Sequence, residues 1–141
     1  MRALLDVNVL LALLDADHVD HRTARAWLEG DIQHGWASCA ITQNGFLRVV
    51  TQERYPSPVS AAEATRRLRR ATGTDHHQFL SCDVSVLDDS IRAERIHGSK
   101  QVTDVYLLAL ARAHDCRFVT FDRAIPLSAV VGASAEDLLT L

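Results

Sequence analysis

An α/β layered domain with a short, mainly parallel central sheet is the architecture this sequence predicts, and two observations carry it. Short strand-like runs such as Ala3-Leu4-Leu5 and Arg117-Phe118-Val119-Thr120 alternate along the chain with longer segments of helical period. The 141 residues, 48% apolar and 23% charged, suit a single domain over 1–141 with one core, and no stretch approaches the roughly 20 apolar residues of a membrane span.

Each element has its own warrant. Residues 2–5 read as a buried strand, and Asn8 to Leu14 as a mostly apolar helix. A second helix begins at Asp17-His18, spaces Val19, Ala24, Trp27 and Leu28 at near-helical intervals, and stops at Gly30. Residues 35–40 form the second strand, and a helix follows from Thr42, interrupted early by Gly45; Pro56 and Pro58 mark a loop. Ser60 with Glu63 makes a capping box for a helix to about Ala71, ended by Gly73-Thr74-Asp75. A third strand is expected over His77 to Cys82 and a helix over Asp83 to His97, closed by Gly98. Thr103 is read as the cap of a helix from Asp104 to His114, which leads into a strand at Arg117–Thr120. Ala129 to Val131 adds an edge strand, and a short helix near Ala135 to Leu139 closes the chain.

Composition narrows the function classes. A formal net charge of −3 argues against broad electrostatic coating of nucleic acid. Lys100 is the only lysine, so positive charge is nearly all arginine, whose planar fork suits bidentate contact with phosphate or carboxylate. Arg66, Arg67, Arg69 and Arg70 cluster, either as a solvated helix face or as a contact with RNA or an acidic partner. Cys39, Cys82 and Cys116 are odd in number, widely spaced and flanked by apolar residues, which reads as buried reduced thiols. The first residues lack the order of a secretory signal, which places the protein in the cytosol. His18 and His21 lie three apart and can share a helix face, but no third zinc ligand is near them, and His76-His77 reads as loop or strand-edge polarity.

The acidic residues are more informative. Asp6 follows the first strand, Asp122 follows the strand ending at Thr120, and Asp104 opens the helix that leads into that strand. In open α/β sheets, sites form beyond the carboxyl ends of the strands. Taken singly, Asp6 or Asn8 caps a helix, Asp104 complements a helix dipole and Asp122 makes an Asx turn. Together they converge at one sheet edge if the first and fourth strands are central. Carboxylates that close stay ionised only around a cation, and oxygen ligands favour Mg²⁺ or Mn²⁺, the setting of phosphodiester hydrolysis.

The stretches LLDVNVLLAL, TDVYLLALA and FVTFDRAI resemble the three acidic motifs of PIN domains, especially the VapC toxins of bacterial toxin–antitoxin pairs. DHVDHRTARAWL and ITQNGFLRVVTQERYPSP are similar to the mycobacterial-type branch, so the resemblance runs nearly end to end. It implies a three-layer α/β/α fold and a Mg²⁺-dependent endoribonuclease that cuts structured RNA of the tRNA or rRNA class and inhibits translation. It also implies a VapB-type antitoxin and a homodimer. Carried over by position, Asp6, Asp104 and Asp122 match the catalytic metal-binding acids, with Asn8 and Thr120 as polar neighbours that orient ligands or water. Arg48, Arg54 and Arg123 are candidates for contact with flanking phosphates.

One position departs from that pattern. The family usually has Glu early in the helix after the second strand, where this chain has Gln43, an amide with no negative charge and no capacity as a general base. A non-cutting module that binds RNA or an antitoxin is therefore the alternative. An aspartyl-nucleophile phosphatase fits less well, because Asp6-Val7-Asn8-Val9 lacks its second acid and Lys100 is the one lysine available.

Overall fold

The computed structural model describes residues 1–141. Five strands, β1 (Arg2–Leu5), β2 (Trp36–Cys39), β3 (His77–Leu80), β4 (Cys116–Thr120) and β5 (Leu138–Thr140), form one sheet in the order β3-β2-β1-β4-β5, with every pairing parallel. Helices α1 (Val7–Leu14), α2 (His21–Asp31), α3 (Ala40–Val50), α4 (Ala61–Thr72) and α5 (Gln101–Ala113) connect them.

Alternation along the strands builds two apolar layers. Ala3, Leu5, Trp36 and Val119 face α1, α3 and α4, where Phe46, Val50, Ala64 and Leu68 are buried, and Trp27 and Leu28 of α2 pack at the margin. Leu4, Ala37, Cys39, Leu80 and Phe118 face the apolar side of α5. The three-layer α/β/α arrangement follows, with β1 central and β4 beside it. The chain leaves β1 towards β2 on one side and returns to β4 on the other, so the switch point lies between the carboxyl ends of β1 and β4.

Several elements differ from the sequence expectation, for local reasons. The segment Asp83 to His97 is not a helix, apart from one 3-10 turn at Ala93–Arg95. Side chains capture the backbone there instead: Leu87 N–H donates to Ser85 Oγ at 3.1 Å and Ser90 N–H to Asp88 Oδ1 at 2.9 Å. Similar turns, with Asp17 N–H on Asp15 Oδ1 and Asp20 N–H on His18 Nδ1, delay α2 to His21, and α2 runs through Gly30. Of Ala129 to Val131 only Val130 pairs, in an isolated bridge with Ile91. The fifth strand lies instead where the last helix was expected. A 3-10 turn at Ala135–Asp137 is capped by Ser134, after which Leu138 and Leu139 turn to opposite core layers, a period of two. Helix α5 starts at Gln101, so Thr103 lies inside it rather than capping it, and Asp104 occupies its first turn. Ser60 Oγ accepts from Glu63 N–H, but the Glu63 carboxylate bonds Arg66 and Arg67 rather than closing the capping box. Cys39 and Cys116 are buried, whereas Cys82 is exposed because the chain leaves the sheet after Leu80.

Gly45 does not interrupt α3, which continues through it to Val50. A Cβ there would collide with Val7 Cγ2, so the missing side chain is what lets α3 pack against the start of α1. Gly45→Ala gains roughly 1 kcal/mol of helix propensity but forces overpacking that costs about 1–3 kcal/mol. It is expected to melt below the wild type, and Val7→Ala to recover part of the loss in a double-mutant cycle. Additive effects of the two changes in denaturant melts would show that the contact does not limit packing.

Candidate metal centre and active site

Asp6 stands where β1 ends and α1 begins. Its backbone N–H still pairs with Val119 O at 2.9 Å, while its extended ψ of 160° makes it the N-cap of α1. Asp6 Oδ1 accepts from Val7 N–H at 2.7 Å, and Oδ2 accepts from the Thr120 hydroxyl at 2.6 Å. The capping explanation is therefore true of one oxygen and leaves the other to a second purpose.

Thr120, fully buried at the end of β4, is the centre of this cluster. Its hydroxyl gives its one proton to Asp6 and accepts from Asn8 Nδ2 at 3.1 Å and from Asp122 N–H at 3.0 Å. One donor and two acceptor sites are thereby all used. Asn8 Oδ1 in turn accepts from Phe121 N–H at 3.2 Å, so the two loops leaving β1 and β4 are cross-braced. Asp122 makes the Asx turn with Ala124 N–H at 2.7 Å through Oδ1, and its Oδ2 has no protein partner.

Asp104 reaches the same edge from α5. Burial, then the charges of Asp6 and Asp122, push its pKa up to about 6. Burial also raises Asp6 above the ordinary carboxylate value, with Asp122 adding to the rise, while the Thr120 hydroxyl, Val7 N–H and Asn8 pull it back. The structure thus brings Asp6, Asp104, Asp122, Asn8 and Thr120 together. The carboxylates do not close around a common point at ligating distance.

The remaining candidates lie elsewhere. Gln43 Nε2 donates to Ser38 Oγ at 3.0 Å, and no hydrogen bond joins it to the three aspartates. Arg48 and Arg123 are exposed, and Arg54 bonds Gln52. His21 Nδ1 lies 2.7 Å from Ala12 O, and His18 Nδ1 is used by Asp20. Within the arginine cluster, Arg66 and Arg67 pair with Glu63 while Arg69 and Arg70 are exposed. Gln101 was not anticipated: its side chain accepts from His97 N–H and donates to Ala124 O, both at 2.9 Å, tying the start of α5 to the loop that carries Asp122. Its only signal in the sequence is a glutamine at the head of an apolar helix.

A parallel five-stranded sheet with helices on both faces, and Asp6, Asp104 and Asp122 drawn together at its switch point, fits the plan of a PIN-type domain. The PIN domain family model matches residues 3–130. The chain is 66% identical over 142 residues to Ribonuclease VapC44 of Mycobacterium tuberculosis, with 100% of both chains covered. It is 43% identical over 124 residues to Ribonuclease VapC38 of the same species, covering 87% of this chain and 86% of that one. The crystal structure of VapBC2 from Rickettsia felis, bound to a DNA fragment from their promoter, has the same fold, with a TM-score of 0.66 at 11% identity over 100% of this chain and 99% of that chain. PAE2754 from Pyrobaculum aerophilum superposes with a TM-score of 0.56 at 23% identity, over 94% and 82% of the two chains. The chain belongs to the PIN-domain family, among its VapC ribonucleases. No helix is long and apolar enough to cross a membrane.

Proposed function

We propose that this protein is a metal-dependent endoribonuclease, the toxin of a type II toxin–antitoxin pair, which cuts structured RNA of the tRNA or rRNA class in the cytoplasm and so inhibits translation. The observation that carries the reading is the convergence of Asp6, Asp104 and Asp122 at the switch point, where burial and the charges of Asp6 and Asp122 disfavour ionised Asp104 and no hydrogen bond of the fold offsets them. The relatives named as ribonucleases support it. A VapB-type antitoxin is the proposed partner, supported by the VapBC2 complex among the similar structures, and a homodimer is the proposed assembly.

An all-oxygen, anionic donor set fits Mg²⁺, with Mn²⁺ as a substitute, and Asp6, Asp104 and Asp122 would hold it. When bound, such a cation stabilises developing charge on a phosphodiester and lowers the pKa of water. The chain's own groups prepare the site. Thr120 fixes the Asp6 carboxylate, Asn8 fixes Thr120, and the Asx turn fixes Asp122. Exposed Arg48 and Arg123 supply positive charge for flanking phosphates. Gln43 gives little support to a binding-only module, because its amide is bonded to Ser38 rather than standing among the acids.

The test is incubation of purified protein with total cellular RNA in Mg²⁺, Mn²⁺ or chelator, with and without co-purified antitoxin. Discrete fragments are expected with either cation, none in chelator, and none in the complex. Fragments that persist in chelator would contradict the metal assignment, and RNA retention without cutting would move the weight to a binding module.

A further inference from the structure

Ser38 is fully buried in β2, one residue short of its carboxyl end, on the face it shares with Trp36. A hydroxyl sealed there needs partners, and it has two. Gln43 Nε2 donates to Ser38 Oγ at 3.0 Å, and Ser38 Oγ lies 2.8 Å from His77 Nε2. The His77 ring lies against Trp36, centroids 4.5 Å apart with planes tilted by 58°. Burial, then the charge of Arg2, lower the His77 pKa and keep the imidazole neutral. A neutral imidazole offers Nε2 as acceptor for the single Ser38 proton, which leaves a Ser38 lone pair for the Gln43 amide. The chain of bonds then runs from Gln43 through Ser38 to His77, and Gln43 Oε1 stays unbonded.

Gln43 lines a groove of about 270 Å³ between α3 and α4, with Asn44, Thr65, Arg69 and Thr72 among its walls. Arg69 makes no ion pair, unlike Arg66 and Arg67, and no carboxylate lines the groove. Two amides and two hydroxyls offer donors and acceptors to a base edge, and the free guanidinium suits a phosphate. A divalent cation finds no anionic ligand here.

We propose that the α3–α4 groove is an RNA-binding subsite, in which Gln43 contacts the substrate and Ser38 and His77 position its amide; this rests on the ribonuclease reading above. It also accounts for the amide at this position. A carboxylate has no N–H to give Ser38, competes with His77 for the one hydroxyl proton, and sets negative charge in the path of phosphates.

The test is steady-state cleavage of a synthetic RNA spanning a site cut in total RNA, with Mg²⁺-dependent melting as a second readout. Gln43→Ala is expected to raise KM about 5- to 10-fold, the loss of a single hydrogen bond or two, with kcat and the Mg²⁺ midpoint of the melting shift unchanged. Ser38→Ala raises KM less and adds nothing to Gln43→Ala, His77→Phe raises KM as Ser38→Ala does, His77→Gln recovers part of that loss by keeping an acceptor for the Ser38 proton, and Gln43→Glu raises KM without tightening Mg²⁺. Where Ser38→Ala melts well below the wild type, His77→Phe tests the same chain from its other end. A lower Mg²⁺ midpoint with higher kcat in Gln43→Glu would overturn the proposal and place position 43 at the cation. Unchanged KM in Gln43→Ala, or additive effects of Ser38→Ala, would overturn it too. If the wild type cuts no RNA with either cation, the ribonuclease reading fails, and RNA retention in a gel decides the groove alone. Retention lost in Gln43→Ala supports the subsite, and equal retention refutes it.

Discussion

Asp104→Asn is expected to lower RNA cleavage by about 100-fold or more while melting no lower than the wild type. Removing a group that merely orients a metal ligand typically costs 10- to 100-fold, so removing an anionic ligand sets that range as a floor. The gain in stability has a separate origin. Asp104 is half-buried, and its raised pKa comes from burial and from the charges of Asp6 and Asp122, with no hydrogen bond to offset them. Because its folded value of about 6 exceeds its ordinary 3.8, the native protein binds more protons than the unfolded chain between these limits. Without divalent cation, this group therefore lowers stability as pH rises from about 4 to about 6, and the penalty is complete above that window. Asp104→Asn should melt above the wild type at pH 8 in chelator, with the difference vanishing near pH 4. A variant that is less stable at pH 8 yet fully active would mean that Asp104 serves the fold.

Thr120→Val should be almost as damaging to activity, by another route. Valine keeps the volume and shape but removes the hydroxyl that serves Asp6, Asn8 and the Asp122 N–H together. Leaving such buried groups unpaired costs about 1–3 kcal/mol, and cleavage should fall roughly 10- to 100-fold. Loss of the donor to Asp6 Oδ2 also raises the Asp6 pKa further, since the Thr120 bond is the largest influence lowering it. The acid limb of the activity profile should therefore move to higher pH in Thr120→Val, and Thr120→Ser should restore both rate and profile. An unshifted limb would reduce Thr120 to a packing role.

The sheet and the acidic group were legible in the sequence because both rest on short-range patterns. Apolar runs marked β1 and β4, and an Asp directly after each strand locates a side chain at the sheet edge whatever the rest of the fold does. The segment from Asp83 to His97 was misread because apolar spacing alone does not reveal that Ser85 and Asp88 will take the backbone N–H groups a helix needs. Leu138 and Leu139 misled for the opposite reason. Two adjacent leucines fit a helix or a strand buried on both faces, and only pairing with β4 decides. Gln43 looked like a lost acid because Ser38, five residues before it near the end of β2, is held by His77 on another strand, a contact that no local spacing encodes. Ser38 left one trace, a hydroxyl inside the apolar run Trp36 to Cys39.

The measurement that tests the carboxylate site most directly is RNA cleavage as a function of Mn²⁺ concentration, run in parallel for the wild type and Asp104→Asn. A saturable rise in the wild type and a flat line, or a midpoint at least tenfold higher, in Asp104→Asn is the expected result. Superimposable curves would show that Asp104 does not hold the cation that cuts RNA, and cleavage independent of Mn²⁺ would contradict the metal centre as a whole.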